Sequence, residues 1–427
     1  MPALRRTLPQ WLEYQQGLHP ATIALGLERV RAVAQRLAPD LLRPAPLVIV
    51  VAGTNGKGSA VAILRAILTA AGLRVGCYTS PHLLTYNERI VLPEGEVADA
   101  TLIDWFERIE AARADIPLTF FEFGTLTALG VFGAARLDAV ILEVGLGGRL
   151  DAVNLVDADA ALITTIDLDH QDWLGPDRDS IGREKAGVLR PAQLAVYADA
   201  RPVRSVLDSA RQIGTQLLLP ARDYRFWREG RDWLLHMADG TLRLPWPDVL
   251  RAPAQIHNLA ACVALLRALA PRWPLSIQAF KQGLAQVRIR GRLQVLAQQP
   301  ELVLDIAHNP QAALSLAQWL AQAPDKPTVA LLGALADKDI AGIVAPLLGS
   351  ICEWVVVGLD QETPRGLSAA ALVKRLPQAV AHRVAANVIE GLALARARAG
   401  SEGRVLAFGS FYLAAGVLRA TDTTTGG

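Results

Sequence analysis

Lys57 stands between two glycines in the stretch GTNGKGS, residues 53–59, where a short apolar run gives way to helix-length amphipathic sequence. Backbone N–H groups at such a helix start can wrap a phosphate, and the ammonium adds a point charge. The glycines permit positive φ and close approach of the chain to a ligand. The spacing is not that of the commonest phosphate loop. Aligned on Gly56 and Lys57, Val51 falls where the first glycine belongs and Gly58 where the hydroxyl belongs. An ordinary tight turn is the alternative, but a lysine flanked by glycines is a poor way to build one. A phosphate site is the expectation.

Three more apolar runs close in polar groups. One ends in Thr79-Ser80-Pro81-His82, one in Glu143 ahead of VGLGGRLDAVN, and one in DLDHQDW with Asp167, Asp169 and His170. Ligands of open parallel sheets bind beyond the carboxyl ends of the strands, so Ser80, Glu143 and His170 are expected on the rim that carries Lys57. A hydroxyl, a carboxylate and an imidazole beside phosphates suit Mg²⁺, which takes few protein ligands. Singly each has a plainer reading: Ser80 as a helix cap, Glu143 as the partner of Arg149, His170 as a turn residue. The GLGG of residues 145–148 is no dinucleotide loop, because Leu150 replaces the third glycine. Lys185, in SIGREKAGVLR, sits on a helix expected to begin near Ser180, and by type alone reads as part of a solvated Glu184–Lys185 face. Farther on, LDIAHNP places Asp305 and His308 at a strand end, with Arg292 ahead of them at a hinge. Arg292 there could neutralise phosphate charge and Asp305 could hold nucleotide surroundings through water. A capping aspartate and an exposed loop histidine weigh nearly as much.

These groups need a scaffold. At 427 residues the chain exceeds what one core usually organises, so two domains are expected. From residue 46 short apolar runs alternate with helical segments, the pattern of an α/β protein with a mainly parallel sheet. Strands are predicted at 46–53, 74–80, 137–145, 158–167 and 194–200, and a small antiparallel insert at 223–246, where REG and ADG break aromatic alternation. A helix follows over 254–269. Beyond a boundary near 287–295, four strand-helix repeats make a second, smaller α/β domain. With 43 Lys plus Arg against 41 Asp plus Glu, nothing in the charge favours nucleic acid or an anionic membrane, and small molecules are the expected partners. Cys77, Cys262 and Cys352 lie too far apart for a metal motif and read as thiols of a reducing cytosol. No apolar run reaches the length of a membrane span. A cytoplasmic protein is expected, and nothing demands more than a monomer.

The motifs AGTNGKGS, TSPHL, NERI, FFEFGTLTAL, EVGLGGRLDAVN, DHQDWLG, REKAGV, GRLQ, DIAHNP, GALADKD and FGSFYLAAGVL, in that order, resemble the bifunctional dihydrofolate synthase/folylpolyglutamate synthase family, which is similar in architecture to the Mur ligases. The resemblance implies a Mur-ligase-like P-loop ATPase domain over 1–290, carrying the β insert and the pterin site, and a smaller Rossmann-like glutamate-ligase domain over 291–427. It implies that Thr54, Asn55, Gly56 and Lys57 hold ATP phosphates, with Asn258, Arg292 and Asp305 completing the nucleotide site. Ser80, Glu143 and His170 would carry two Mg²⁺ ions. Lys185 matches a lysine carbamylated to N6-carboxylysine in this family, which reverses the solvated reading; Lys57, Lys185 and His170 form the implied catalytic set. The dihydropteroate pocket would take Leu25, Gly26 and Leu27, then Thr119, Phe120, Phe121 and Glu122, and then Leu150, Asp151 and Ala152. Arg290 and Leu413 depart from the family's usual proline and threonine.

The activity so implied is ATP-dependent amide formation. A carboxylate of dihydropteroate or of a reduced folate is phosphorylated, and the amine of L-glutamate attacks the acyl phosphate. Two rivals remain: a Mur ligase acting on a cell-wall precursor, against which the segment ahead of Pro46 is too short for a sugar-nucleotide domain, and a nucleotide-dependent switch, which lacks here an Asn-Lys-x-Asp motif.

Overall fold

The run LVIVVA forms strand β1 (Leu47–Ala52), and all six of its residues are buried. That is what a strand covered on both faces by helices requires, and it explains why the run is uninterrupted instead of alternating. The computed structural model describes residues 6–21, 23–38, 40–377 and 380–425. The chain divides into two compact units, Met1–Pro247 with His257–Val287, and Asp248–Ile256 with Arg288–Gly427.

Among the described residues of the first unit, β1 joins β2 (Val75–Tyr78), β3 (Ile90–Leu92), β4 (Gly95–Glu96), β5 (Ala139–Glu143), β6 (Ala160–Ile163), β7 (Leu194–Tyr197) and β8 (Gln216–Leu218). Their order across the sheet is β4-β3-β2-β5-β1-β6-β7-β8. Only β3 and β4 pair antiparallel. The register sets the rim: Val51 lies opposite both Glu143 and Leu162, and Tyr78 lies opposite Leu142. The residues that follow β1, β2 and β6 therefore emerge level with Glu143.

Gly56 caps the helix Lys57–Ala70, whose Ala60, Ile63, Leu64, Ile67 and Leu68 are buried. The helix Ile277–Gln286 lies close against it, because a Cβ on Gly283 would come within 2.5 Å of Ile67 Cα. Burying each such Leu or Ile contributes about 1.5–3 kcal/mol, and trimming one to alanine costs about 2–5 kcal/mol. The predicted insert is a meander of β9 (Arg225–Glu229), β10 (Asp232–Met237) and β11 (Gly240–Pro245), antiparallel throughout. Trp233 and Leu235 bury its inner face.

In the second unit β12 (Gln294–Gln298), β13 (Glu301–Leu304), β14 (Thr328–Leu332), β15 (Glu353–Val357), β16 (His382–Ala385) and β17 (Arg404–Phe408) are ordered β12-β13-β17-β14-β15-β16. All pairs but β12–β13 are parallel. Val303, Leu332, Val356, Leu406 and Phe408 fill its core. Among the described residues no helix is long and apolar enough to cross a membrane.

Candidate active site

The turn after β1 is locked to the exit of β6. Thr54 N–H donates to Thr165 O at 2.7 Å, and the Thr54 hydroxyl donates to Asp167 O while accepting from Asp167 N–H, both at 3.1 Å. Gly53 is obligatory: its φ is +141°, and a Cβ there would lie 1.8 Å from Thr164 Oγ1. Gly56, at φ +86°, sits beneath Asn258, whose Nδ2 would be 2.2 Å from an added Cβ. The Asn258 side chain is buried, and its Oδ1 has no hydrogen-bond partner among the described residues. Such an atom requires an explanation, and a donor supplied by a ligand is one.

Two lysines meet at one carbonyl. Lys57 Nζ donates to Gly53 O at 3.1 Å and to Thr54 O at 3.3 Å, and Lys185 Nζ donates to the same Gly53 O at 2.9 Å. Burial, and secondarily the Lys57 charge, depress the Lys185 amine to about 7, against the pull of Asp169 and Asp151. The solvated face read from residue type is thus corrected. The helix Arg178–Ala186, capped by Asp177, turns Lys185 inward. Gly148 makes room for it, since a Cβ there would come 2.8 Å from Glu184 O and 2.9 Å from Lys185 O. Within GLGG, Gly148 therefore serves helix approach, while Gly145 makes room for the Phe121 ring. Arg149 pairs with Glu184 at 3.0 Å, which removes the alternative that it pairs with Glu143.

Glu143, buried at the end of β5, accepts from Ser80 N–H at 3.3 Å through Oε2. The same oxygen faces the phosphate loop, 3.8 Å from where a Gly58 Cβ would stand. His170 adopts a left-handed conformation, φ +52°, at the start of the short helix Gln171–Leu174. Asp169 Oδ1 accepts from His170 N–H at 2.9 Å and lies 3.9 Å from its Nε2. Among the described residues no three His, Cys, Asp or Glu side chains come together in a group that could hold a metal ion by themselves. Glu143 and Ser80 bring a carboxylate and a hydroxyl-bearing residue together at the rim, which fits a hydrated hard cation shared with phosphate and not a closed zinc site.

The three segments expected to take the pterin are brought together in the first unit. Gly26 N–H donates to Leu150 O at 3.2 Å, and Arg29 joins Ala24 O at 2.9 Å to Glu122 Oε1 at 3.0 Å. Thr119 and Glu122 form a capping box at the start of the helix Phe120–Ala134. One Glu122 oxygen is thereby fixed on Thr119 N–H at 2.8 Å, and the other holds Arg29. Sequence reasoning missed Arg29. The T-x-x-E spacing was the available signal, because it leaves one buried carboxylate oxygen in need of a cation. Phe120 and Phe121 are half-buried; Phe120 meets Tyr86 edge-on at 5.7 Å, and Phe121 lies 5.9 Å from Tyr78 and against Gly145. Asp151 fastens the third segment through Leu146 N–H at 2.8 Å and Val153 N–H at 2.9 Å, and Ala152 opens the turn that follows. Burial raises the Asp151 carboxyl to about 6. Nearby, burial and Arg89 lower the His82 imidazole to about 4.

Arg292 and Asp305 meet within the second unit, 3.8 Å apart. Asp305 accepts from Leu293 N–H at 2.9 Å and Ala307 N–H at 2.7 Å, so it fastens the 291–293 turn instead of capping a helix. Asn309 caps the helix that follows, Pro310–Leu320. Burial raises the Asp305 carboxyl while Arg292 pulls it down. His308 is half-buried, 5.9 Å from Phe411, and not the exposed loop histidine of the plainer reading.

Comparison with known proteins follows the same lines. The family model for the Mur ligase, glutamate ligase domain, matches residues 291–411. The dihydrofolate synthase/folylpolyglutamate synthase of Escherichia coli K12 is 42% identical over 428 residues, covering 100% of this chain and 98% of the relative. Among solved structures, E. coli FolC in complex with DHPP and ADP matches with a TM-score of 0.93 at 42% identity, covering 100% of both chains. A bifunctional folylpolyglutamate synthase/dihydrofolate synthase with Mn, AMPPNP and L-glutamate bound matches with a TM-score of 0.90 at 46% identity, over 98% of each chain. The two α/β units are those of the Mur-ligase fold. With this identity along its full length, the chain belongs to the dihydrofolate synthase/folylpolyglutamate synthase family.

Proposed function

We propose that this protein joins L-glutamate to dihydropteroate, giving dihydrofolate, and to reduced folates, giving folylpolyglutamates, with cleavage of ATP to ADP and phosphate. The observation that carries the reading is the convergence, on one sheet rim, of the Lys57 loop, buried Lys185, Glu143 and Ser80, with the three substrate segments in the same unit. The full-length relatives support it.

In this reading residues 1–290 bind ATP and pterin, and residues 291–427 are the glutamate-ligase domain. The loop residues Thr54, Asn55 and Gly56 and the Lys57 ammonium hold the ATP phosphates, with Asn258, Arg292 and Asp305 contributing to the nucleotide site. A substrate carboxylate oxygen attacks the γ-phosphorus, and ADP departs. The glutamate amine then attacks the acyl carbon and loses a proton, and phosphate leaves with one former carboxylate oxygen. Catalysis of the first step is positioning and charge stabilisation, and each donor removed costs about 10²–10³ in rate. Ser80, Glu143 and His170 would hold two Mg²⁺ ions, which would supply further neutralisation of phosphate charge.

Lys185 acts as N6-carboxylysine in this account. Its free amine adds to CO₂ with loss of a proton, and the resulting anion faces Lys57 and the metal rim. Leu25, Gly26, Leu27, Thr119, Phe120, Phe121, Glu122, Leu150, Asp151 and Ala152 bind the pteroyl group, with the two phenyl rings as its apolar wall. The protein works as a cytoplasmic monomer.

The test is phosphate release from ATP with L-glutamate and, in turn, dihydropteroate, tetrahydrofolate or a cell-wall nucleotide precursor. Turnover with the first two supports the reading. Turnover with the last alone, or hydrolysis of GTP without acceptor, would overturn it.

A further inference from the structure

Arg89, in the NERI motif, is only 9% exposed, and its guanidinium has no carboxylate partner among the described residues. Its Nε–H donates to His82 Nδ1 at 2.8 Å, and the Tyr78 hydroxyl is a second polar neighbour. The cation lies 5.3 Å from the centre of the Tyr86 ring and 5.4 Å from that of Phe120. Glu88, adjacent in sequence, already accepts from the N–H groups of Leu83, Leu84 and Thr85 at 2.9, 2.7 and 2.9 Å. A buried cation is costly without a counter-charge, and ring faces offset only part of that cost. What remains is a planar fork whose geometry matches a carboxylate.

Its position indicates which carboxylate. Arg89 O accepts from Thr79 N–H at 2.9 Å, so the residue stands across from Thr79, beside Ser80 on the rim. Its side chain lies against Phe120, at the wall of the proposed pteroyl pocket. The guanidinium thus lies where an aromatic pocket wall meets the rim that bears Ser80. Dihydropteroate has matching chemistry, a dihydropterin joined through a CH₂–NH link to a benzene ring that ends in a single carboxylate.

We infer that Arg89 binds the carboxylate of the acceptor and aims it at ATP, an inference that rests on the folate-ligase reading above. Arg89 is then a substrate-binding residue that sets the preference for an anionic acceptor, while the pterin end is recognised elsewhere in the pocket.

The experiment is equilibrium titration, without ATP or metal, of wild type, Arg89→Gln and Arg89→Lys with two ligands: dihydropteroate, and its analogue with hydrogen in place of the carboxylate. Arg89→Gln should bind dihydropteroate roughly 10- to 100-fold more weakly, the size of a lost charge-assisted hydrogen bond, and bind the analogue as wild type does. Arg89→Lys should fall between. Unchanged dihydropteroate affinity in Arg89→Gln would overturn the inference, as would an equal loss for both ligands, which would mean that Arg89 only shapes the pocket. If Arg89→Gln does not fold, wild type must still prefer dihydropteroate over the analogue and Arg89→Lys must narrow that preference; no preference in wild type overturns the inference. A wild type that binds neither ligand overturns the folate reading and this inference with it.

Discussion

Replacing Lys185 by alanine or arginine should abolish most ligase activity while leaving the fold intact, and the reason lies in the shared Gly53 carbonyl. Lys57 Nζ and Lys185 Nζ stand 3.1 and 2.9 Å from that one oxygen, and Lys185 is buried. Two ammonium groups there repel, and the amine is depressed to about 7 from an ordinary 10.5. At pH 7.4 that leaves roughly 70% of it unprotonated, against about 0.1% for a free lysine, a gain of several hundred-fold in the species that attacks CO₂. The carbamate converts a like-charge contact into an ion pair. Loss of a preorganised charge of this kind should reduce kcat by about 10²–10³. Arginine keeps the cation but cannot be carbamylated, so it should be as impaired as alanine. The assay pairs turnover with ¹³C NMR of protein equilibrated with labelled bicarbonate: wild type shows a carbamate carbon, both variants lack it, and short carboxylates partly restore Lys185→Ala. A Lys185→Arg enzyme with wild-type turnover, or a wild type whose rate is indifferent to CO₂ depletion and shows no carbamate carbon, would refute the reasoning.

Other predictions follow from single contacts. In CO₂-free buffer the depressed Lys185 amine makes the unfolded chain bind more protons than the folded one between about pH 7 and 10.5, so its contribution raises stability with pH across that window; comparing the slope of wild type with that of Lys185→Met in urea titrations isolates it. Lys57→Ala should lower turnover by about 10²–10³ with an unchanged unfolding transition, since its bonds are to the loop's own carbonyls at the surface of the site. Gly56→Ala places a Cβ 2.2 Å from Asn258 Nδ2 at φ +86°, so strain of about 1–3 kcal/mol should appear as a weaker affinity for a non-hydrolysable ATP analogue by calorimetry. Arg29→Met leaves Glu122 with one oxygen unpaired and loosens the 24–29 segment; the KM for dihydropteroate should rise roughly 3- to 10-fold while the KM for ATP stays unchanged.

Much of the scaffold was legible because parallel strands buried on both faces must be unbroken apolar runs. The LVIVVA and AVILE runs could hardly be anything else once turn residues bounded them. The rim was legible for a related reason, since polar groups closing such runs have one place to go. Lys185 was not. Its neighbours Arg183 and Glu184 look like a solvated helix face, and the inward turn depends on close packing at Gly148 and Gly187, contacts distant in sequence that residue type does not encode. What Gly148 does in GLGG was hidden for the same reason: glycines that admit a helix backbone and glycines that admit a pyrophosphate are spelled alike, and only the missing third glycine spoke against a dinucleotide loop. Arg89 and Arg29 escaped notice because an arginine in a polar stretch is ordinarily solvated, and only tertiary structure shows a guanidinium against aromatic rings or a half-used carboxylate.

The central claim, that the carboxylate is phosphorylated before the amide forms, is tested most directly with dihydropteroate carrying ¹⁸O in its carboxylate, incubated with the protein, Mg²⁺, ATP and L-glutamate. The account predicts dihydrofolate and ADP in equal amounts, with one ¹⁸O atom transferred to each phosphate released. Dihydrofolate formed alongside unlabelled phosphate, or phosphate released with no dihydrofolate, would contradict it.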